Sequence, residues 1–341
     1  MGAPMAWNDL TGEALRSYRS TAVAPVDLDS FWAQTLHEAR RHDLAATFTP
    51  VATPLRLVQV EDVSFAGFDG QPVKAWLTLP AHSRPADRLP VVVEYIGYGG
   101  GRSLPTVPSL YALAGFAHLK MDTRGQGSTW SPGHTPDGGA DGAPQIPGFM
   151  TRGVLDPKTY YYRRLITDAV RAVEAARSHP AVDPDRVAVT GRSQGGGLTI
   201  AAAALADGIV AAAPDVPFLC DIERATTLTD ADPYAELARY CRTHRDQVER
   251  VFATLGHVDG VHLAARATAP ALFGVALMDD ICPPSTVYAA YQSWAGSKRI
   301  VEYPYNGHEG GEDYHDVAVL DFLHEVFGTA TTEPVTKESQ S

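Results

Sequence analysis

The chain has 341 residues, of which 45% are hydrophobic, enough to bury a core without disulfide or metal staples. Its formal net charge is −12, which argues against nucleic acid and anionic membrane as partners, since both recruit clustered Lys and Arg. No apolar stretch approaches the ~18 residues of a membrane span, and the Ala-rich run from Ile200 to Ala206 stops at Asp207.

The N-terminus, Met1 to Asp9, lacks the basic and apolar regions of a secretory signal. Cys220, Cys241 and Cys282 cannot close a disulfide set and lack zinc spacing. Read as buried thiols in a reducing compartment, they give a cytoplasmic protein as the expectation.

Residues 1–50 read as an N-terminal helical arm, with Phe31, Trp32, Leu36 and Ala39 at helical spacing. Leu55–Phe65 and Val73–Leu79 then alternate apolar and polar residues about Phe68-Asp69-Gly70-Gln71, a hairpin signal. Six short apolar runs follow: Leu89–Ile96, Ala117–Asp122, Val187–Thr190, Ile209–Ala213, Ala271–Leu277 and Ile300–Tyr305. Strands without alternation suit a parallel sheet covered on both faces. Helical periodicity separates several of them. Thr159–Ser178 presents Leu165, Ala169, Ala172, Val173 and Ala176 on one face, Leu198–Leu205 follows the third run, and Asp316–Val326 carries Val317, Leu320 and Leu323, with Phe327 just beyond. The expected fold is therefore α/β: a doubly wound, mostly parallel sheet opened by an antiparallel hairpin. One domain spans 1–328, with a helical cap insertion at 221–262, a Gly/Pro-rich functional loop at Gly125–Gly153, and a flexible polar tail at 329–341.

Gly191-Arg192-Ser193-Gln194-Gly195 follows the strand ending at Thr190 and precedes a helix. A serine on such a strand-to-helix turn holds its hydroxyl above the sheet, and the small residues two before and two after relieve the turn. Ser193 is thus the candidate nucleophile of an α/β-hydrolase arrangement. Its partners should follow in the order acid, then histidine, in loops after later strands. Met278-Asp279-Asp280 follows the run Ala271–Leu277, so the acid is Asp279 or Asp280, and Asp279 lies nearer the strand end. His308, in the Gly-flanked loop Asn306–Gly311, is the candidate base. One oxyanion donor is the backbone N–H of Gln194, and a second should come from the loop Ile96–Gly101.

These segments resemble a known family. Arg124-Gly125-Gln126, Gly191-x-Ser193-Gln194-Gly195 and His308-Glu309 match the three-part signature of the acetyl xylan esterase / cephalosporin C deacetylase family, carbohydrate esterase family 7. Tyr95–Tyr98, Met121–Gly127, Gly148–Gly153 and Asp279–Thr286 are also similar, and the likeness runs from around Met5 to around Gly328. The resemblance implies Asp279 as the triad acid and the Tyr98 N–H as the second oxyanion donor. It implies a serine carboxylesterase that removes acetyl groups from small substrates: xylo-oligosaccharides, cephalosporin C and simple acetate esters. It further implies a doughnut-shaped hexamer whose active sites face an inner cavity. No metal or organic cofactor is implied.

Arg124 read by itself lies at a strand end, where a buried Arg bonded to loop carbonyls would brace the active-site loops. Arg192 is given no role. A peptidase of the prolyl-oligopeptidase kind would need a propeller that the chain cannot hold. A broader short-chain esterase, or an acyltransferase or perhydrolase, would share the acyl-enzyme, whereas a non-catalytic binding protein would be expected to have lost a triad member.

Overall fold

The structure, a computed structural model, describes residues 9–138 and 142–329, so most of the expected C-terminal tail and the first eight residues lie outside the described part. Its strands are β1 (Thr47–Val51), β2 (Val58–Ala66), β3 (Pro72–Pro80), β4 (Leu89–Tyr95), β5 (Ala117–Met121), β6 (Val182–Arg192), β7 (Ile209–Asp215), β8 (Ala271–Ala276) and β9 (Lys298–Tyr303). They form one nine-stranded sheet in the order β1-β2-β3-β5-β4-β6-β7-β8-β9. The pairs β1–β2, β2–β3 and β3–β5 are antiparallel, and every pair from β5–β4 to β8–β9 is parallel. The α/β expectation holds, with the antiparallel hairpin β2–β3 turning at Phe68–Gly70.

Strand β4 shows why its sequence lacks alternation. Val91, Val93 and Tyr95 enter the larger core, whereas Val92 points to a second core with Phe116, Ala188, Ala213, Val319 and Phe322. Both faces are covered, so both parities must be apolar. Glu94 breaks the run at the strand's C-terminal end, where the second face stops being core.

Two segments depart from the sequence reading. Residues 47–51 belong to edge strand β1 and not to a helical arm; the helices before it are Gly12–Arg16 and Leu28–Arg40. Thr-Phe-Thr-Pro-Val is rich in β-branched and aromatic residues, and an edge strand tolerates Pro50. The last helix, Glu312–Phe327, buries His315, Val319, Phe322, Leu323 and Phe327, while Val317 is 59% exposed. Val317 is two positions from both His315 and Val319, about 200° around the helix, so it must face outward when they face inward.

Between β7 and β8 the chain forms helices Ile222–Leu228, Tyr234–Thr243, Val248–Leu255 and Gly260–Ala264. Among its described residues the segment Gly125–Gly153 has neither helix nor strand. No helix of the described residues is long and apolar enough to cross a membrane.

Candidate active site

Strand β6 ends on Arg192, and the helix Gln194–Leu205 begins two residues later. Ser193 makes the turn alone, at φ 58° and ψ −120°, a backbone region costly for any residue with a Cβ. The turn is held by its own backbone: Ser193 N–H donates to Asp215 O at 3.0 Å, and Ser193 O accepts from Phe218 N–H at 2.9 Å. The flanking glycines are forced by contact. A Cβ on Gly195 would stand 2.1 Å from Tyr95 O, and one on Gly191 would stand 2.6 Å from the Gly195 carbonyl. That is the physical content of the Gly-x-Ser-x-Gly spacing.

The side chains converge. His308 Nε2 lies 2.9 Å from Ser193 Oγ, and His308 Nδ1 lies 2.9 Å from Asp279 Oδ2. Asp279 Oδ1 accepts the N–H groups of Ile281 and Cys282, each at 2.8 Å. Both carboxylate oxygens are thereby engaged and the side chain is fully buried, while His308 is partly exposed toward the cavity. Asp280 is exposed, and its backbone carbonyl accepts from the Thr229 hydroxyl. Of the two candidate acids, the structure therefore brings Asp279 to His308.

Glu309, beside the histidine, folds back on its loop and accepts from Gly307 N–H at 3.0 Å and Asn306 Nδ2 at 3.1 Å. Sγ of Cys282 completes a cluster whose ligating atoms, with those of Asp279 and His308, lie within 4.8 Å of one another. Burial pushes that thiol well above its usual range, so it remains protonated beside the serine.

Gln194 opens the helix that follows Ser193, so its N–H has no intrahelical acceptor and faces the region of the serine. The loop carrying Tyr98 is tied to that helix by buried amides. Gln194 Nε2 donates to Ile96 O at 3.1 Å, and Gln126 Nε2 donates to Gln194 Oε1 at 2.8 Å. Gln126 Oε1 in turn accepts from Gly99 N–H at 2.6 Å. Gln126 thus links the loop after β4 to the helix start, a role its place in Arg-Gly-Gln did not disclose.

The Tyr98 hydroxyl points away and donates to Glu236 Oε1 at 2.7 Å, and the hydroxyl oxygen itself accepts from Phe149 N–H at 2.8 Å. Burial, then Glu236, pushes that phenol far above its usual value, and burial raises Glu236 as well. Glu236 lies in the inserted helices, so the insertion is bonded to the loop after β4.

Arg124 is 0% exposed. Its Nε and one terminal nitrogen clasp Asp168 at 2.6 and 2.9 Å, and the other terminal nitrogen reaches Gln71. It braces the β2–β3 turn against the helix Tyr161–Ser178. Asp137 Oδ1 lies 3.8 Å from the nitrogen that reaches Gln71, so its partners are two carboxylates and an amide, not the loop carbonyls expected from the sequence.

Above Ser193 opens a cavity of about 350 Å³. Ile96, Tyr98, Trp130, Pro233 and Ile281 give it an apolar wall near the serine, and Glu94, Lys120, Arg192 and Asp232 give it a charged rim. Glu94 is held by His118 Nε2 at 2.8 Å and Lys120 Nζ at 3.3 Å. Burial opposes its ionisation, but Lys120 and His118 outweigh it and draw the carboxyl down to about 2. Trp130 donates to Tyr98 O at 2.9 Å. The rim residues escaped the sequence reading, although a Glu inside the apolar run of β4 was a visible signal.

The acetyl xylan esterase (AXE1) family model matches residues 5–326. Among solved structures, the chain is similar to the acetyl xylan esterase from Paenibacillus sp. R4, with TM-score 0.85 and 36% identity over 93% of this chain and 100% of that one. It is similar to acetyl xylan esterase 1 from Thermoanaerobacterium sp. JW/SL YS485, with TM-score 0.84 and 32% identity, covering 94% and 99%. Acetyl esterase Axe7A of Xylanibacter ruminicola is 27% identical over 316 residues, 87% of this chain; the match spans only 65% of that longer protein. The chain therefore belongs to the acetyl xylan esterase (AXE1) family and is an ester hydrolase of the α/β-hydrolase fold.

Proposed function

We propose that the protein removes acetyl groups from small esters by a two-step acyl transfer through Ser193. The unbroken chain from Ser193 Oγ through His308 to Asp279, with both links at 2.9 Å, carries this reading. His308 takes the hydroxyl proton as Ser193 attacks the ester carbonyl, and Asp279 holds the ring with its other nitrogen facing the serine. The oxyanion rests on the N–H groups of Tyr98 and Gln194. His308 returns the proton to the leaving alcohol, and water then repeats the sequence on the acetyl-enzyme.

The alcohol is an acetylated xylo-oligosaccharide, the cephem nucleus of cephalosporin C, or a simple alcohol. The acetyl preference is supported by the names of the similar proteins and by the apolar wall nearest Ser193. A cytoplasmic setting is supported by three unpaired thiols, two of them buried. A hexamer built from dimers, with inward-facing sites, is part of the same reading, and light scattering coupled to gel filtration tests it.

The activity is tested with 4-nitrophenyl esters of rising chain length beside acetylated xylo-oligosaccharides. Fast release from acetate, with a steep fall by butyrate, supports the reading. A preference for the longer chains contradicts the acetyl assignment and leaves an esterase of another specificity.

A further inference from the structure

The cavity over Ser193 is walled by charged as well as apolar groups, and its charges are not equally occupied. Each carboxylate is paired. Glu94 holds His118 Nε2 at 2.8 Å and Lys120 Nζ at 3.3 Å, and Asp232 holds a terminal nitrogen of Arg239 at 2.6 Å. The two cations have donors to spare. Arg192 gives its Nε to Asp215 Oδ2 at 2.7 Å, while neither of its terminal nitrogens makes a hydrogen bond among the described residues. Asp316 and Glu312 attract the same guanidinium from further off and form no ion pair with it. Lys120 has Glu94 as its one ion-pair partner among the described residues, and an ammonium carries more donors than that contact uses.

Strand register puts these groups in one row. Glu94 on β4 lies opposite Lys120 on β5 and Thr190 on β6, and Arg192 follows two residues beyond Thr190 on the same face. Strands β5 and β6 flank β4 on opposite sides, so the row crosses the reversal of strand order where open α/β sheets hold their ligands. Arg192 is also the residue before Ser193, and its side chain is 40% exposed. Its unused fork therefore stands close to the reacting ester.

We propose that Arg192 and Lys120 are specificity residues that select esters whose alcohol half carries a carboxylate. The proposal rests on the acetyl-esterase reading: an acetyl group has no charge to offer, so whatever the cations recognise belongs to the alcohol. A guanidinium presents paired N–H groups that match the two oxygens of a carboxylate, and such charge-assisted bonds are about twice as strong as neutral ones. An aliphatic alcohol would strip water from both cations and return nothing. The chain's formal net charge of −12 disfavours anions at long range, so the selection acts at contact distance.

The test compares 3-acetoxybenzoate with 3-acetoxybenzamide, acetates of nearly the same shape that differ in charge, each kcat/KM being divided by the ester's spontaneous hydrolysis rate. The wild type is expected to favour the benzoate about tenfold. Arg192→Gln should bring that ratio close to one, and Lys120→Met should lower it about threefold. Arg192→Lys, which keeps the charge and loses the fork, should fall in between. Arg84→Gln, at an exposed surface pair, should not move the ratio. Both esters meet the same enzyme, so the ratio does not depend on the fraction of a variant that folds. The proposal is overturned by a wild type that hydrolyses the two equally, prefers the benzamide, or cleaves 4-nitrophenyl acetate but neither of them. A preference that survives in the double variant Arg192→Gln with Lys120→Met overturns it as well. A wild type inert on all three esters defeats the esterase reading itself, and the selection with it.

Discussion

Asp279 and His308 meet at 2.9 Å through Oδ2 and Nδ1, and the carboxylate's second oxygen is locked by the N–H groups of Ile281 and Cys282. The acid cannot swing away, so the imidazole ring is fixed with Nε2 toward Ser193. Asp279→Asn keeps the shape but favours the wrong tautomer. It should lower kcat on 4-nitrophenyl acetate by about 10³–10⁴ with a small change in KM. Steady-state kinetics beside a circular dichroism spectrum checks this; a loss below tenfold would remove Asp279 from the role.

Gly195→Ala tests the turn. Its Cβ would stand 2.1 Å from Tyr95 O, a backbone atom that cannot yield without moving β4. Urea unfolding should show a loss of more than ~3 kcal/mol, together with collapse of activity. An active Gly195→Ala enzyme of native stability would mean that the turn is looser than described.

Arg124 and Asp168 form an ion pair with both side chains 0% exposed. Arg124→Met strands a buried carboxylate and should cost about 3–5 kcal/mol in urea unfolding. The double change Arg124→Met with Asp168→Leu should recover a large part of that, because it removes the uncompensated charge. If the double variant is as unstable as the sum of the two single ones, the pair is not what stabilises this turn.

Glu94 makes a pH prediction. Its carboxyl is drawn from 4.5 to about 2 in the folded chain. A depressed acid contributes stability that is present above about 4.5 and is lost as pH falls toward about 2. The size is on the order of 3 kcal/mol. Glu94→Gln should therefore be less stable than wild type at pH 6, with the gap closing by pH 2. A gap that is constant across this window would show that Lys120 and His118 do not hold the charge.

How far the sequence carried the structure differs by element. The turn at Ser193 and the loops of Asp279 and His308 were legible because each follows a strand whose apolar run marks its end. The choice between Asp279 and Asp280 was harder: adjacent side chains on one loop differ only in direction, and backbone geometry decides that. Val317 was misplaced because the helix Glu312–Phe327 carries apolar residues beyond its buried face, so apolar character alone did not mark which side packs on the sheet. Residues 47–51 were missed because a five-residue edge strand has too few side chains to show a period. The amide linkage of Gln126 and Gln194 joins residues far apart in the chain, and no local pattern announces such a contact.

The most direct test of the account is the site of covalent attack. A diethyl phosphoryl ester such as diethyl 4-nitrophenyl phosphate should inactivate the enzyme with one adduct per chain, and peptide mass spectrometry should place it on Ser193. Ser193→Ala should take up none and hydrolyse no acetate ester above background. Labelling at another residue, or full activity in Ser193→Ala, would contradict the acyl-enzyme mechanism.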